Sequence, residues 1–248
     1  MLVLRHIQTM TTHPPPRDEA PYWSLPGLAE GARRCGAMVP GTFVFAAAYG
    51  TLAAQKGLSL SETVLMSALM FAGSAQLVAL EVWTNPLTLA TVVSLAVVTG
   101  IVNARFILMS ATMRPWFGPL PAWQAYGALT TTVDATWLIG MRYRSEGGSD
   151  ASVYLGAGLA LYAVWVFAAL PGYLLGALVT DPKRFGFDLV LIIFFAAMFV
   201  PLWRGVRRAI GWAVAGLVAL AVSYVVPGWW FIVIGALTGS IVGAFIDE

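Results

Sequence analysis

The chain has 248 residues, of which 59% are hydrophobic and only 10% are charged, whereas roughly 25% are charged in a typical soluble domain. This composition excludes an ordinary water-soluble fold and predicts an all-α, polytopic membrane bundle, because runs of about 20 apolar residues cross a bilayer as helices. The net charge of +2 is small, and the basic residues lie in short connections between apolar runs, which argues against a nucleic-acid-binding surface.

The cysteine and histidine content excludes several kinds of site. Cys35 is the single cysteine, so no disulfide forms within the chain. His6 and His13 both lie in the amino-terminal segment, so no spanning segment offers a histidine to a haem, a zinc ion or a catalytic relay. We therefore expect no cofactor, no metal and no enzymatic activity.

Residues 1–35 are interpreted as a flexible cytosolic tail. They contain Pro14-Pro15-Pro16 and scattered charges, and they lack the apolar core and small-residue cleavage site of a secretory signal. The transmembrane domain is predicted to occupy residues 36–248.

The first apolar run, about residues 36–55, is interrupted early by Pro40-Gly41. Proline removes a backbone donor, which predicts an opened helix that is covered by protein or lines a cavity.

The second run is predicted to extend from a capping box formed by Ser59 and Glu62 to about Trp83. Gly73 and Ser74 lie inside it, just before Gln76. Small residues allow two helix backbones to approach closely, so the segment predicts either a helix contact or a local unwinding beside the Gln76 amide.

Five more apolar runs follow, at about residues 87–109, 120–141, 151–179, 187–203 and 209–245. Asp150 is predicted to cap the helix at 151–179, and Asp188 is predicted to cap the next one. Pro227-Gly228 divides the last run, which gives seven or eight transmembrane segments in total.

An internal repeat is suggested by two Pro-Gly pairs. Pro40-Gly41 is followed by Gly57, and Pro171-Gly172 is followed by Gly186, which divides the domain into halves at 36–141 and 152–246. Transporters are often built from two related halves. The alternative is a chance recurrence, because Pro and Gly are frequent in membrane helices.

The connections also predict the orientation, because Lys and Arg are retained on the cytoplasmic side. With the amino terminus inside, the inner side carries Arg33, Arg34, Arg142, Arg144, Arg204, Arg207 and Arg208. The outer side carries Lys56, Arg114, Lys183 and Arg184. The excess on the inner side predicts a cytosolic amino terminus.

Polar residues inside the apolar runs are candidates for function, because a charge at the bilayer centre costs at least about 2.5 kcal/mol. Arg105 needs an anion, and the candidates are Asp134, a substrate carboxylate or a lipid phosphate. Asn103 is two residues from Arg105, so the two side chains point in nearly opposite directions on an unbroken helix.

Several motifs together resemble the AzlC/YgaZ family of branched-chain amino acid permeases. They are the segment from Gly50 to Gln76 that includes Phe71-Ala72-Gly73-Ser74-Ala75-Gln76, then Asn103-Ala104-Arg105-Phe106, Asp134, and Phe185-Gly186-Phe187-Asp188. The resemblance covers about residues 30–205. Phe106 replaces a family histidine, and Ala135 replaces an acidic residue that follows the aspartate in the family.

The resemblance implies an exporter of leucine, isoleucine or valine in the bacterial inner membrane, working with a small AzlD-like membrane subunit of about four spans. Combined with the polar residues above, it gives a predicted substrate site at Pro40, Gly41, Gly73, Ser74, Gln76 and Asn103, held or gated by Arg105 and Asp134. The alternatives are a channel or transporter for another small solute, an intramembrane aspartyl protease using Asp134 and Asp188, and a scaffold without transport activity.

Overall fold

The computed structural model describes residues 21–178, 203, 205–226 and 230–247. The described residues form helices and one isolated β-bridge between Tyr22 and Asp150. The helices are α1 Leu25–Arg34, α2 Val39–Gln55, α3 Leu60–Leu69, α4 Gly73–Val82, α5 Leu89–Thr112, α6 Arg114–Phe117, α7 Ala122–Leu129, α8 Asp134–Ser145, α9 Ala151–Leu178, α10 Val206–Val225 and α11 Trp230–Asp247, with a 3₁₀ turn at Gly36–Met38 between α1 and α2.

Three described segments are long and apolar enough to cross a membrane: Leu25–Gln55, Leu89–Thr112 and Ala151–Gly176. At 1.5 Å per residue, the 24 residues of α5 extend about 36 Å, which exceeds a bilayer core of about 30 Å. The all-α membrane bundle predicted from the sequence is confirmed.

Residues 25–34 form a helix instead of belonging to a flexible tail. The Ser24 hydroxyl caps α1 by accepting from the Gly27 N–H at 2.9 Å, and it also donates to the Asp150 carboxylate at the start of α9. A Cβ atom at Gly31 would lie 2.0 Å from the Val153 carbonyl oxygen. The glycine therefore lets α1 and α9 pack in backbone contact, which orders this part of the chain.

Pro40 does not open a helix, in contrast to the sequence prediction. It lies in the first turn of α2, which continues to Gln55. Proline is tolerated at that position because the first N–H groups of a helix have no partner within the helix in any case. Pro171 lies inside the continuous helix α9, so the two Pro-Gly pairs occupy different positions in their helices.

Helices α2 and α9 run parallel and in close contact. A Cβ atom at Gly50 would lie 2.2 Å from the Ala169 carbonyl oxygen, and one at Gly176 would lie 2.6 Å from the Thr51 backbone. The Thr51 hydroxyl also donates to the Gly172 carbonyl at 2.9 Å. Together with the contact of α1 with the start of α9, these pairs show that both segments advance in the same direction.

We call the end of the bundle where α1 and α9 begin the first face, and the end where α2 and α9 finish the second face. Helix α5 connects them. Its start lies near the second face, where the Thr84 and Thr91 hydroxyls are 2.8 Å apart. Near its other end, the Trp137 indole donates to the Thr112 hydroxyl at 2.8 Å.

Helices α3 and α4 form a hairpin that enters from the second face and returns to it. At its base, the Leu58 carbonyl accepts from the Tyr173 hydroxyl at 2.9 Å, and Glu81 of α4 lies 3.6 Å from Lys56. The contacts that begin and end the hairpin therefore lie at the same end of α2 and α9.

The tip of this first hairpin lies near the middle of α9. The Ala68 carbonyl accepts from the Tyr162 hydroxyl at 2.8 Å, and a Cβ atom at Gly73 would lie 2.4 Å from the Trp165 ring. Residues 70–72 are not helical. Local unwinding near this point was one of the two predictions from the sequence, the other being a helix contact. Each arm has 10 residues, or about 15 Å, so the second run folds back on itself instead of crossing once.

Helices α7 and α8 form a second hairpin, which enters from the first face and returns to it. Gln124 accepts a hydrogen bond from the Trp23 indole at 2.7 Å, and Glu146 beyond α8 pairs with Arg34 at 2.7 Å. At the tip, the Thr132 hydroxyl lies 2.7 Å from that of Tyr154. The sequence prediction of one continuous helix at 120–141 is therefore wrong, because residues 130–133 turn the chain back.

The second hairpin also changes the predicted sidedness of Arg114. The Trp116 indole donates to the Ser149 carbonyl at 3.2 Å, which places the turn after α5 beside the loop that follows α8. Arg114 therefore lies at the first face with Arg142 and Arg144, not on the opposite side.

The last two described helices, α10 and α11, pack on each other through small residues. Cβ atoms at Gly235 and Gly239 would lie within 2.7 and 2.5 Å of Ala219 and Ala215. Asp188 lies outside the described residues with the rest of 187–202, as does Gly186 of the suggested repeat.

Candidate functional site

The tips of the two hairpins meet at one side chain, Arg105 of α5. Its Nη2 donates to the Ser74 hydroxyl at 2.7 Å and lies 3.0 Å from the Asp134 carboxylate. Ser74 belongs to the first hairpin and Asp134 to the second. A single guanidinium nitrogen therefore joins two structures that enter from opposite faces.

Both partners of Arg105 lie in the first turn of a helix. Asp134 is the first residue of α8, and Ser74 is the second residue of α4. The residues before these helices, Val133 and Ala72, contribute no side-chain cap. The N–H groups of a first turn are directed outward and carry partial positive charge, so both helices direct anion-attracting ends toward this region.

The Arg105–Asp134 pair is only partly enclosed by the described residues. The side chains are 31% and 27% exposed, and the guanidinium also lies over the Phe106 ring, 5.1 Å from its centroid. The Nε atom of Arg105 is buried without a hydrogen-bond partner. The arginine thus has donor capacity that its present contacts leave unused.

A second cluster of polar side chains lies beneath the tip of the first hairpin, between α2, α4 and α9. Gln76 is fully buried, and its Oε1 accepts from the Trp165 indole at 3.0 Å. Its Nε2 has no partner, and neither has the hydroxyl of the buried Ser67. The nearby Tyr49 hydroxyl donates to the Thr63 carbonyl at 3.0 Å.

Aromatic rings hold this polar cluster in place. The Trp165 ring stacks near Tyr49 with centroids 6.0 Å apart, and it meets Phe45 edge-on at 5.4 Å. These residues belong to a buried apolar cluster with Leu77 and Leu80. Unsatisfied buried polar atoms normally cost about 1–3 kcal/mol each, so Gln76 and Ser67 stand out within a well-packed core.

The predicted site residues are distributed unevenly over the structure. Gly73, Ser74, Arg105 and Asp134 meet at the two tips, with Gln76 one turn below. The Asn103 Oδ1 atom is buried and unpartnered, but Asn103 is two positions from Arg105, about 200° around the helix.

The other predicted residues lie away from the tips. Pro40 and Gly41 are exposed in the first turn of α2, and a Cβ atom at Gly41 would meet nothing within 4 Å. Ser59 and Glu62 form a capping box at the base of the first hairpin. Asp188 lies outside the described residues.

Sequence analysis missed Tyr49 and Trp165. The signal was their position: both lie in the middle of an apolar run, away from the run ends where tyrosine and tryptophan usually form an interfacial belt. A mid-span indole or phenol needs a polar partner, and here the partners are Gln76 and the Thr63 carbonyl.

A separate cavity of about 350 Å³ lies at the first face and is almost entirely apolar. Its lining residues are Trp23, Trp123, Gln124, Gly127, Ala128 and Leu155. Among the lining residues that the structure describes, Gln124 is the strongly polar one, and it is bonded to Trp23, so this part of the cavity offers little chemistry for a polar ligand.

Comparison with known proteins also indicates a membrane protein. The chain is 25% identical over 156 residues to an uncharacterized membrane protein of Helicobacter pylori. The aligned region covers 63% of this chain and 67% of that protein. No solved structure matches the chain significantly. The profile of the AzlC protein family matches residues 37–179, a region that contains both hairpins and the Arg105 contact. This chain is a membrane protein of the AzlC family.

Proposed function

We propose that this protein is a secondary transporter that exports branched-chain amino acids across the bacterial inner membrane with a small AzlD-like subunit. The observation that carries the proposal is the meeting of two hairpins, one from each face, at Arg105. Transporters commonly bind substrate where broken helices end near the bilayer midplane. A site between two oppositely directed hairpins is suited to alternating exposure to the two sides.

The chemistry of the tips fits a small zwitterion. Arg105 and the uncapped start of α4 are suited to a carboxylate, and Asp134 is suited to an ammonium group. The Gln76 Nε2 and Ser67 hydroxyl, which have no hydrogen-bond partner, lie against an apolar cluster. This combination suits a ligand with a short polar end and an aliphatic side chain.

The distribution of basic residues supports an orientation with the first face in the cytoplasm. Between residues 21 and 178, the first face carries Arg33, Arg34, Arg114, Arg142 and Arg144, whereas the second face carries Lys56. Moving Arg114 to the first face strengthens the asymmetry on which the positive-inside rule depends. The second hairpin is then the one that enters from the cytoplasm.

Export is tested by loading bacteria with a leucine-containing dipeptide and following the free leucine that appears outside. Cells that express this chain with its partner subunit should release leucine faster than cells with an empty vector. Gln76→Ala should lower that rate by about tenfold, because removal of a buried amide that contacts ligand costs about 1–3 kcal/mol.

Gln124→Ala is the matched control, because Gln124 is also bonded to an indole but lies at the first face. Equal leucine release with and without the chain would overturn export of branched-chain amino acids. Release of a different solute in a parallel screen would favour the alternative of another transported compound. Leucine release without the partner subunit would remove that subunit from the proposal.

A further inference from the structure

We propose that Arg105 and Asp134 are together the receptor for the two charges of a zwitterionic ligand. The ligand inserts between them, so that its carboxylate binds Arg105 and its ammonium binds Asp134. The choice of an amino acid as ligand rests on the proposed function, which this inference deepens by stating that the ligand replaces the internal ion pair of the two residues with one ion pair to each of them.

The first support is the way Arg105 uses its donors. Its contacts with Ser74 and Asp134 both involve Nη2, while the buried Nε has no partner. A carboxylate that approaches the guanidinium side-on binds Nε and an Nη atom together. A ligand carboxylate in that position would satisfy an atom that the ligand-free protein leaves unpaired.

The second support is the charge balance at Asp134. If a ligand carboxylate simply displaced Asp134 from Arg105, an unpaired carboxylate would remain at depth in the bundle, which is costly. A ligand ammonium removes that cost. Before binding, Arg105 and Asp134 pair with each other; after binding, each pairs with one charge of the zwitterion. The net charge of the site therefore does not change.

The third support is access. The Arg105 side chain is 31% exposed and the Asp134 side chain 27% exposed among the described residues, so the pair is not sealed. Ser74 holds Arg105 from the first hairpin at 2.7 Å and would keep the guanidinium in place while Asp134 turns away. The same exchange would separate the two tips, because the Arg105–Asp134 contact joins α5 to the second hairpin.

The test is ligand binding to the purified full-length chain, measured as a shift in thermal unfolding with ligand concentration. The ligands are leucine, 4-methylpentanoate, which lacks the ammonium, and 3-methylbutylamine, which lacks the carboxylate. Asp134→Asn should weaken leucine and the amine by about tenfold or more and should not weaken the carboxylate compound, which no longer has to displace Asp134 from Arg105. Arg105→Gln should weaken leucine and the carboxylate compound and should not weaken the amine, because Asp134 is then free of its ion pair with the arginine. Loss of one charged hydrogen-bond partner gives this magnitude.

Asp134→Glu and Arg105→Lys guard against a purely structural effect, because each keeps its charge and should retain part of the affinity for its own ligand end. The crossed pattern supports the inference. Equal weakening of all three ligands in either neutral variant, or no weakening in both, overturns it.

Leucine counterflow in vesicles separates this inference from the proposed function. Absence of counterflow with the crossed binding pattern intact would overturn leucine transport but keep the receptor. Counterflow in the wild type together with an uncrossed pattern would keep transport and overturn the receptor.

Discussion

The two hairpins have the same shape and opposite directions, but they differ in how their tips are satisfied. In the second hairpin the threonine hydroxyls of the turn and of the start of α8 are all bonded. Their acceptors or partners are the Gly127 carbonyl for Thr130, the Ala128 carbonyl for Thr131, Tyr154 for Thr132, and the Thr131 carbonyl for Thr136. In the first hairpin the buried Ser67 hydroxyl and Gln76 Nε2 have no partner.

The difference indicates separate roles. A turn whose polar groups are all satisfied is stable without a ligand, whereas unsatisfied groups in a packed core favour a bound molecule that supplies the missing partners. We infer that the second hairpin brings a charge, Asp134, to the site, and that the first hairpin supplies the uncharged polar groups, Gln76 and Ser67, that a ligand would satisfy.

The largest expected effect comes from adding a methyl group to the tightly packed tip of the first hairpin. Gly73→Ala places a methyl group 2.4 Å from the Trp165 ring and 2.9 Å from the Phe45 ring, so one of these rings must move. We expect a loss of about 1–3 kcal/mol in the free energy of unfolding, the usual cost of overpacking a core, and a loss of leucine efflux.

Gly127→Ala is the control in the second hairpin, because a Cβ atom there meets nothing within 4 Å. It lies inside helix α7, where alanine is favoured over glycine by about 1 kcal/mol. Thermal unfolding in detergent measures both variants. If Gly127→Ala destabilises the protein as much as Gly73→Ala does, the tight packing assigned to the first tip is wrong.

Much of this fold was predictable from the sequence, and the hairpins show where prediction stops. The capping box at Ser59 and Glu62 is a local pattern, and an arginine in an apolar run demands an anion, which leaves few candidates besides Asp134. A run of about 20 apolar residues, however, has the same composition whether it crosses a bilayer or folds back halfway. The return at 130–133 depends on contacts with α9, which are far away in sequence.

The next effect distinguishes a buried hydroxyl without a hydrogen-bond partner from one that is hydrogen-bonded. Thr132→Val removes a hydroxyl that is bonded to Tyr154 and leaves that phenol without its partner, so the unfolding free energy should fall by about 1–2 kcal/mol. Ser67→Ala removes a hydroxyl that has no partner, so stability should be unchanged or slightly higher.

Efflux should show the opposite order, with Ser67→Ala slower than Thr132→Val once the amount of folded protein is equalised. Thermal unfolding and efflux on the same preparations measure both quantities. A clear destabilisation by Ser67→Ala would mean that its hydroxyl already has a structural partner, and the distinction between the two tips would be lost.

A smaller effect concerns how α9 holds each tip. Tyr162 donates to the Ala68 carbonyl of the first hairpin, and Tyr154 is bonded to Thr132 of the second. Tyr162→Phe and Tyr154→Phe should each cost about 1 kcal/mol, the net value of one hydrogen bond. Because the unpaired polar groups that a ligand would satisfy lie in the first hairpin, leucine should stabilise Tyr162→Phe less than it stabilises Tyr154→Phe. Equal ligand-induced shifts in melting temperature would contradict this.

The smallest effect lies at the base of the second hairpin, where Glu146 joins Arg34 and Arg142. Hydrogen bonds from Arg34 and then Arg142 lower the pKa of the Glu146 carboxyl below its ordinary value. A group with a lowered pKa in the folded state stabilises the protein above its unfolded pKa of about 4.3, and this contribution disappears as the pH falls through the lower folded-state pKa.

Glu146 is 40% exposed, so we expect a contribution of at most about 1 kcal/mol. The wild type should therefore lose this stability relative to Glu146→Gln as the pH falls from about 5 through the lowered folded-state pKa of Glu146, and the two proteins should differ least at the acid end. Glu81→Gln is the matched variant in the first hairpin, where the carboxylate is 65% exposed and lies 3.6 Å from Lys56. Thermal unfolding across this pH range should give a smaller difference for Glu81→Gln. A larger one would mean that the base of the first hairpin, not the second, is held by charge.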